Sequence, residues 1–210
     1  MHAPAHFRMD DREAMAAFIE ARHFATLVVS GPNGPQAAYA PMLLNRDADR
    51  QPVSLECHLA RNNPVAALVA TDARALAIFH GADAYVTPSL YLSKREHGKV
   101  VPTWNYVSVE VAGEAVAFDD AASLQAQIAR MTDVMEQPSA APWAVSDAPA
   151  DYVARMINGI IGIRMAIDGI EGVRKLSQNK SEGDRAGVLN GLTHSNDPSA
   201  RQVAAEMTKP

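Results

Sequence analysis

Three short β-rich runs separated by tight turns limit the architecture more than any other feature of this chain. Residues 24–30, FATLVVS, end at Gly31-Pro32-Asn33-Gly34-Pro35, a strong turn signal. Residues 36–44 resume extended structure, and the polar stretch 45–51 turns the chain into a third run at 53–59. A crossover between parallel strands needs about a dozen residues or more, so these connections predict an antiparallel meander. Further strands are expected at 75–80 with a turn at Gly81, at 84–87, at 104–117, and at 160–176 with an interruption over 168–172. Within 104–117, Tyr106, Ser108, Glu110 and Ala112 alternate with Val107, Val109, Val111 and Gly113, the period-two pattern of a strand.

Helices are expected around this sheet. Residues 10–21 carry Asp10 and Asp11 as caps and a Met15, Phe18, Ile19 stripe. A short helix from 65 to about 70 has Asn63 as a cap and Pro64 at its first turn. The clearest helix is 119–136, where Leu124, Ile128, Met131 and Met135 recur on one face. Others are expected at 150–158, at 181–191 behind a Ser181–Asp184 partial capping box, and weakly after Asp197-Pro198. The chain reads as one domain over 1–192 with a helical insertion near 119–158, followed by a partly helical or disordered tail at 193–210.

The 210 residues, 48% hydrophobic, suffice for one good core. A formal net charge of −5 gives no general attraction to nucleic acid, so DNA binding would need a local basic surface on an acidic body. No helix-turn-helix signature is evident. The single cysteine, Cys57, excludes an intramolecular disulfide and lies in an apolar run, where it reads as a buried small hydrophobe. No apolar run approaches the ~20 residues of a membrane span, and the N-terminal residues lack a signal-peptide stretch, so a cytoplasmic protein is expected. His2, His6, His23, His58, His80, His97 and His194 are scattered, without Cys pairs or HExxH, so no metal site is expected.

The residues with binding chemistry concentrate in 85–106, YVTPSLYLSKREHGKVVPTWNY. A loop this long in a compact domain is uncommon unless functional or disordered, and its aromatic density argues against disorder. Tyr85, Trp104 and Tyr106 offer faces for a planar ring. Arg61, beside the start of the short helix, offers bidentate phosphate contact, and Lys175, Ser177, Gln178, Asn179 and Lys180 offer further donors. A cofactor with a phosphate tail and a flat heteroaromatic head, such as FMN, matches both sets. A nucleotide or a polar subunit interface would match them too.

Two long motifs, GKVVPTWNY (98–106) and KLSQNK (175–180), resemble those of the FMN-binding negative transcriptional regulators of the PaiB type. HLARNNP (58–64), PWAVSDAPADYV (142–153), FATLVVS (24–30) and the opening His6-Phe7 with Asp10-Asp11 follow the same family in the same order, covering residues 1 to about 192. The resemblance implies a mainly β (α+β) fold, a six-stranded antiparallel FMN-binding split β-barrel akin to the pyridoxamine-phosphate oxidases. It also implies a homodimer with flavin near the subunit interface. It places His58, Arg61, Asn62, Tyr85, Trp104, Asn105, Tyr106, Lys175, Ser177, Gln178 and Asn179 at the cofactor, with Arg61 on its phosphate. Two positions depart from the family pattern: Leu90 stands where a tryptophan is expected, and Arg174 where an aromatic residue is expected.

Negative transcriptional regulation is the function the resemblance implies. The same pocket would also serve an FMN-dependent oxidoreductase of the pyridoxamine-oxidase or flavin-reductase kind, with His97, Lys99 or Tyr106 as proton donors. A haem-binding barrel is the third reading, with His97 or His194 as ligand. Catalytic residues are not assigned from sequence.

Overall fold

The structure, a computed structural model, describes residues 1, 3–70 and 73–209, so His2 and the final residue of the tail lie outside the described residues. In chain order its elements are β1 (Arg8–Met9), α1 (Arg12–Arg22), β2 (Phe24–Gly31), β3 (Gly34–Pro41), β4 (Leu43–Arg46), β5 (Pro52–Ala60) and α2 (Pro64–Val69). There follow β6 (Ala73–Val86), α3 (Ser93–Glu96), β7 (Thr103–Phe118), α4 (Ala121–Glu136), α5 (Ala150–Ile157), β8 (Ile160–Ala166), β9 (Gly169–Lys175), α6 (Glu182–Thr193) and α7 (Pro198–Thr208). Among the described residues the sheet has nine strands in the order β3-β2-β6-β7-β8-β5-β4, with β9 against β7 and β1 against β9. Nine, not six, is the count because β4 and the two-residue β1 add pairings, and residues 160–176 form two strands. Every pairing of known register is antiparallel.

The chain forms two compact units: unit one is Met1–Met15, His80–Glu110 and Glu171–Pro210, and unit two is Ala16–Phe79 and Val111–Ile170. In unit two, β2 and β3 form a hairpin in register from Phe24↔Pro41 to Gly31↔Gly34. Alternate β2 residues Ala25, Leu27 and Val29 are buried, as a strand with one core face requires. On β5 the apolar Leu55, Cys57 and Leu59 are buried, while Glu56 and His58 point to the opposite face. There α4 and β8 supply polar partners. Glu56, 2% exposed, accepts hydrogen bonds from Arg130 and, at 2.6 Å, from Arg164. His58 Nδ1 lies 3.0 Å from Oε1 of the buried Gln127. At Gly113 a Cβ would collide with the carbonyl of Ala166, so only glycine permits this approach of β7 to the end of β8.

In unit one, residues from the ends of β6 and β9 and from the start of β7 meet helices α6 and α7. The tail folds: Asp197 caps α7 by accepting from Ser199 N at 2.9 Å, and Ala200, Val203, Ala204 and Met207 are buried. The expected turn at Gly81 is absent. Residues 73–86 are one strand, and the buried set shifts from Ala75, Ala77 and Phe79 to Ala82, Ala84 and Val86. One extra residue at His80–Gly81 changes the phase without ending the strand, which is what glycine inside a strand permits.

Candidate functional site

The segment Arg174–Lys180 holds the candidate site together, because its side chains alternate. Lys175, Ser177 and Asn179, with Lys180, line a cavity of about 120 Å³ in unit one, with Phe7, Thr103 and Asn105 on the other walls. Asn105 lies on the valine-bearing face of β7 and is 1% exposed; Ser177 is 3% exposed. They are reciprocally bonded: Asn105 Nδ2 donates to Ser177 Oγ at 3.0 Å, and Ser177 Oγ stands 3.2 Å from Asn105 Oδ1. Ser177 has φ of 63°, the left-handed region that non-glycine residues rarely enter, and such strain collects at functional sites. Gln178 maintains the turn, its Oε1 accepting from Leu176 N at 2.7 Å and its Nε2 donating to Arg174 O at 2.5 Å.

Lys175 is the most constrained cation. Its Nζ donates to Thr103 Oγ1 and to the Trp104 carbonyl, each at 2.6 Å, and sits 5.9 Å from the Tyr106 ring centroid. Burial, with the like charge of Lys180 second, holds its pKa below the ordinary lysine value. Lys180 Nζ lies 4.9 Å over the ring of Tyr91. Neither lysine makes an ion pair within 4.0 Å among the described residues, although the charge of Lys180 reaches Asp184 and helps to hold its carboxyl down. Beside them Tyr85 and Trp104 meet edge to face at 5.9 Å with an interplanar angle of 65°. Both rings are half exposed, which leaves apolar surface open next to a positive cradle.

Unit two holds the other expected contacts. Arg61 is already engaged: its Nε donates to the Asn158 carbonyl at 3.1 Å and its Nη1 to Asp119 Oδ2 at 3.3 Å. Asn62 is exposed. Asn63 Oδ1 accepts from Val65 N at 2.9 Å and so caps the six-residue α2. His58 is turned to Gln127. Thus the structure joins Asn105, Lys175, Ser177 and Asn179 around one cavity, pairs Tyr85 with Trp104, and sets Tyr106 beneath Lys175.

The loop between β6 and β7 is anchored on α6. Gly183, Gly187 and Gly191 recur at four-residue spacing and so share one face. A Cβ at Gly183 would meet Leu92 at 3.0 Å, while at Gly187 and Gly191 it would strike the carbonyl and the side chain of Leu90. Leu90 therefore fills a notch on α6. Asp184 secures the same loop, accepting from Ser93 N at 2.9 Å and Ser93 Oγ at 2.8 Å, and the bond from the Ser93 amide leads the causes that hold its pKa below the usual carboxylate range. Arg174, the other departure, donates to the Glu206 carbonyl at 3.1 Å and so ties β9 to α7. His97 and His194 line none of these cavities; His97 Nδ1 accepts from Lys99 N at 3.0 Å, and His194 Nδ1 lies 2.9 Å from Asn190 O. Sequence reasoning gave Phe7 no role at the site, whereas Tyr91 and Thr103 both lie in the 85–106 stretch that it singled out. The alternation 175-177-179 was a usable signal for which residues share a cavity; Phe7, about 170 residues away in sequence, had none.

Comparison with known proteins is consistent with this chemistry. Residues 1–169 match the family described as "Putative FMN-binding domain". An uncharacterized protein of Emericella nidulans is 33% identical over 85% of this chain and 84% of its own length. Protease synthase and sporulation protein PAI 2 of Bacillus subtilis is 28% identical over 99% of this chain and 96% of its own. Among solved structures, the flavocytochrome Anf3 from Azotobacter vinelandii superposes with a TM-score of 0.60 at 13% identity, covering 88% of this chain and 78% of that one. The FAD and heme binding protein from Mycobacterium smegmatis gives 0.58 at 16%, covering 85% and 78%; both show the fold alone. The chain therefore belongs to the FMN-binding domain family, with FMN as its cofactor and a mainly antiparallel sheet with flanking helices as its fold.

Proposed function

We propose that this chain holds FMN against the unit-one cradle and works as an FMN-dependent oxidoreductase on a small substrate, in a homodimer whose second copy completes the site. The observation that carries the reading is the lysine pair lining one cavity, with no ion pair within 4.0 Å among the described residues, beside exposed rings. FMN fits this donor set. A phosphate of roughly −1.5 to −2 charge would relieve the repulsion between Lys175 and Lys180, with Ser177 and Asn179 as neutral donors. Tyr85 and Trp104 offer faces to the planar head. FMN supplies the hydride and electron chemistry; the chain binds, orients and limits access. A 120 Å³ cavity is well below the roughly 300–1,000 Å³ that encloses a small organic ligand, which supports a second copy as the missing wall.

Arg61 is the other candidate for the phosphate, and Asn62 and His58 would accompany it. Because Arg61 is already held by Asp119 and Asn158, its loss also releases that contact, so R61A and K175M are compared side by side. NADPH added without oxygen should bleach the bound flavin, and a small electron acceptor should restore it. Flavin that stays oxidised with both NADH and NADPH would overturn the oxidoreductase reading.

Negative transcriptional regulation is the second reading, favoured by the full-length match to a Bacillus subtilis protein whose name links it to protease synthesis and sporulation. Helices α6 and α7 are joined by a short turn, but their charged residues are mixed in sign: Glu182, Asp184, Arg185, Arg201, Glu206. On this reading a mobility shift on a specific DNA should survive physiological salt; a complex erased by salt and indifferent to sequence would refute it.

A further inference from the structure

The other face of the Arg174–Lys180 segment forms a second cavity. Arg174, Leu176 and Gln178, the residues that alternate with those of the flavin cradle, line a space of about 400 Å³ in unit one, and Phe7 is a wall of both cavities. That volume lies within the roughly 300–1,000 Å³ range of small-molecule sites.

The cavity walls divide by chemistry. Phe7, Leu176 and Met207 are apolar and buried. Four cations and three carboxylates complete the lining, and most neutralise one another. Arg8 Nε donates to Asp10 at 2.6 Å; Glu206 takes Lys209 at 2.6 Å and Arg174 at 3.5 Å. Asp11 Oδ1 is occupied by the amides of Glu13 and Ala14. Arg185 is the exception. Its Nη2 donates to the Met207 carbonyl at 2.7 Å, and no carboxylate pairs with it among the described residues. A guanidinium carries five N–H donors in a plane, so most of its fork remains for a ligand.

We propose that this cavity binds a small organic anion, with an apolar ring against Phe7, Leu176 and Met207 and a carboxylate or phosphate on Arg185. The site stands on its own geometry. Its coupling to the flavin rests on the proposed function: a ligand that moves the segment from one side repositions Lys175 and Ser177 on the other, a local shift of the kind that packed segments transmit. That would make the occupant a substrate or effector read through the flavin.

The test titrates FMN-loaded protein by calorimetry with benzoate, phenyl phosphate and benzyl alcohol, while the flavin spectrum is recorded. Saturable binding of at least one anion is expected, with benzyl alcohol at least tenfold weaker, since the charged hydrogen bond to Arg185 is missing. The preferred anion distinguishes carboxylate from phosphate ligands. R185M should weaken anion binding at least tenfold and leave FMN affinity unchanged, with partial recovery in R185K. The proposal is overturned if neither anion saturates, if benzyl alcohol binds equally well, or if R185M binds the anion as before. Loss of FMN affinity in R185M would also overturn it, by making the two cavities one site. The contrast between anion and alcohol in the unaltered protein decides the matter even if R185M folds poorly. Failure to bind FMN at all would refute the flavin reading, while the same titration on flavin-free protein would still judge the second site.

Discussion

Replacing Ser177 with alanine or with glycine separates the strain at that residue from the hydrogen bonds it makes. In S177A the left-handed φ of 63° is retained and the reciprocal bonding with Asn105 is lost. Asn105 is 1% exposed and keeps only the weak contact of its Nδ2 with Met207 Sδ at 3.9 Å, so losing the Ser177 partner costs about 1–3 kcal/mol. In S177G the same bonds are lost, but a left-handed strain of roughly 1–2 kcal/mol is relieved. Glycine also loses more backbone freedom on folding, about 0.4–1 kcal/mol relative to alanine. S177G should therefore be more stable than S177A by about 0.5–1 kcal/mol and still less stable than the parent. The assay is urea unfolding of flavin-free protein, comparing midpoints at constant slope. In the double mutant N105A/S177A the second substitution should cost little once the first is made, a coupling of about 1 kcal/mol or more. If S177A matches the parent, or if the two substitutions add without coupling, the buried pair does not contribute as described.

Three further outcomes follow from the packing. E56A removes the carboxylate shared by Arg130 and Arg164; both arginines are half exposed and can turn to water, so no buried charge is left and urea unfolding should show a loss of about 1.5–3 kcal/mol, the scale of a charged hydrogen bond. G187A pushes a Cβ into the Leu90 carbonyl and should cost about 1–3 kcal/mol while making the 87–102 loop more sensitive to limited proteolysis; protection equal to the parent would refute the anchoring. Burial pushes the Cys57 thiol up from 9.0 to about 12. The folded state then keeps a proton the unfolded state releases, so this stabilising contribution is full below pH 9 and is lost as pH rises towards about 12, a decline that C57A should reduce. Native protein should accordingly react with a thiol reagent only on unfolding.

The hairpin of residues 24–41 was legible because its short turn leaves no room for a crossover and the apolar alternation of β2 selects one face. The run expected as one strand over 36–44, however, breaks at Met42 into β3, paired with β2, and β4, paired with β5, so the three-strand meander is not formed. The long helix α4 was legible for the same kind of reason, its stripe at helical spacing. Gly81 was misread, since a glycine that shifts strand phase and one that turns a chain look alike in sequence; only the burial of Ala82, Ala84 and Val86 separates them. At the site, the aromatic and lysine-bearing motifs named segments that share one cavity wall or lie beside it. Their division of labour was not legible: that Gln178 holds its own turn depends on a backbone path no local pattern encodes. The same holds for Leu90, whose place in a notch of α6 is set by glycines about a hundred residues away.

The most direct test of the account is an FMN titration of flavin-free protein and its K175M/K180M variant, followed by flavin fluorescence. Each lysine contributes a charged contact of about 1.5–3 kcal/mol, so the variant should bind FMN at least tenfold more weakly. Removing the pair also removes the bonds of Lys175 to Thr103 and Trp104, so urea unfolding of the flavin-free variant confirms that it is folded before its affinity is read. Weaker FMN binding by a folded variant is the predicted result. FMN affinity unchanged in K175M/K180M, with R61A losing it instead, would contradict the cradle and place the phosphate at Arg61.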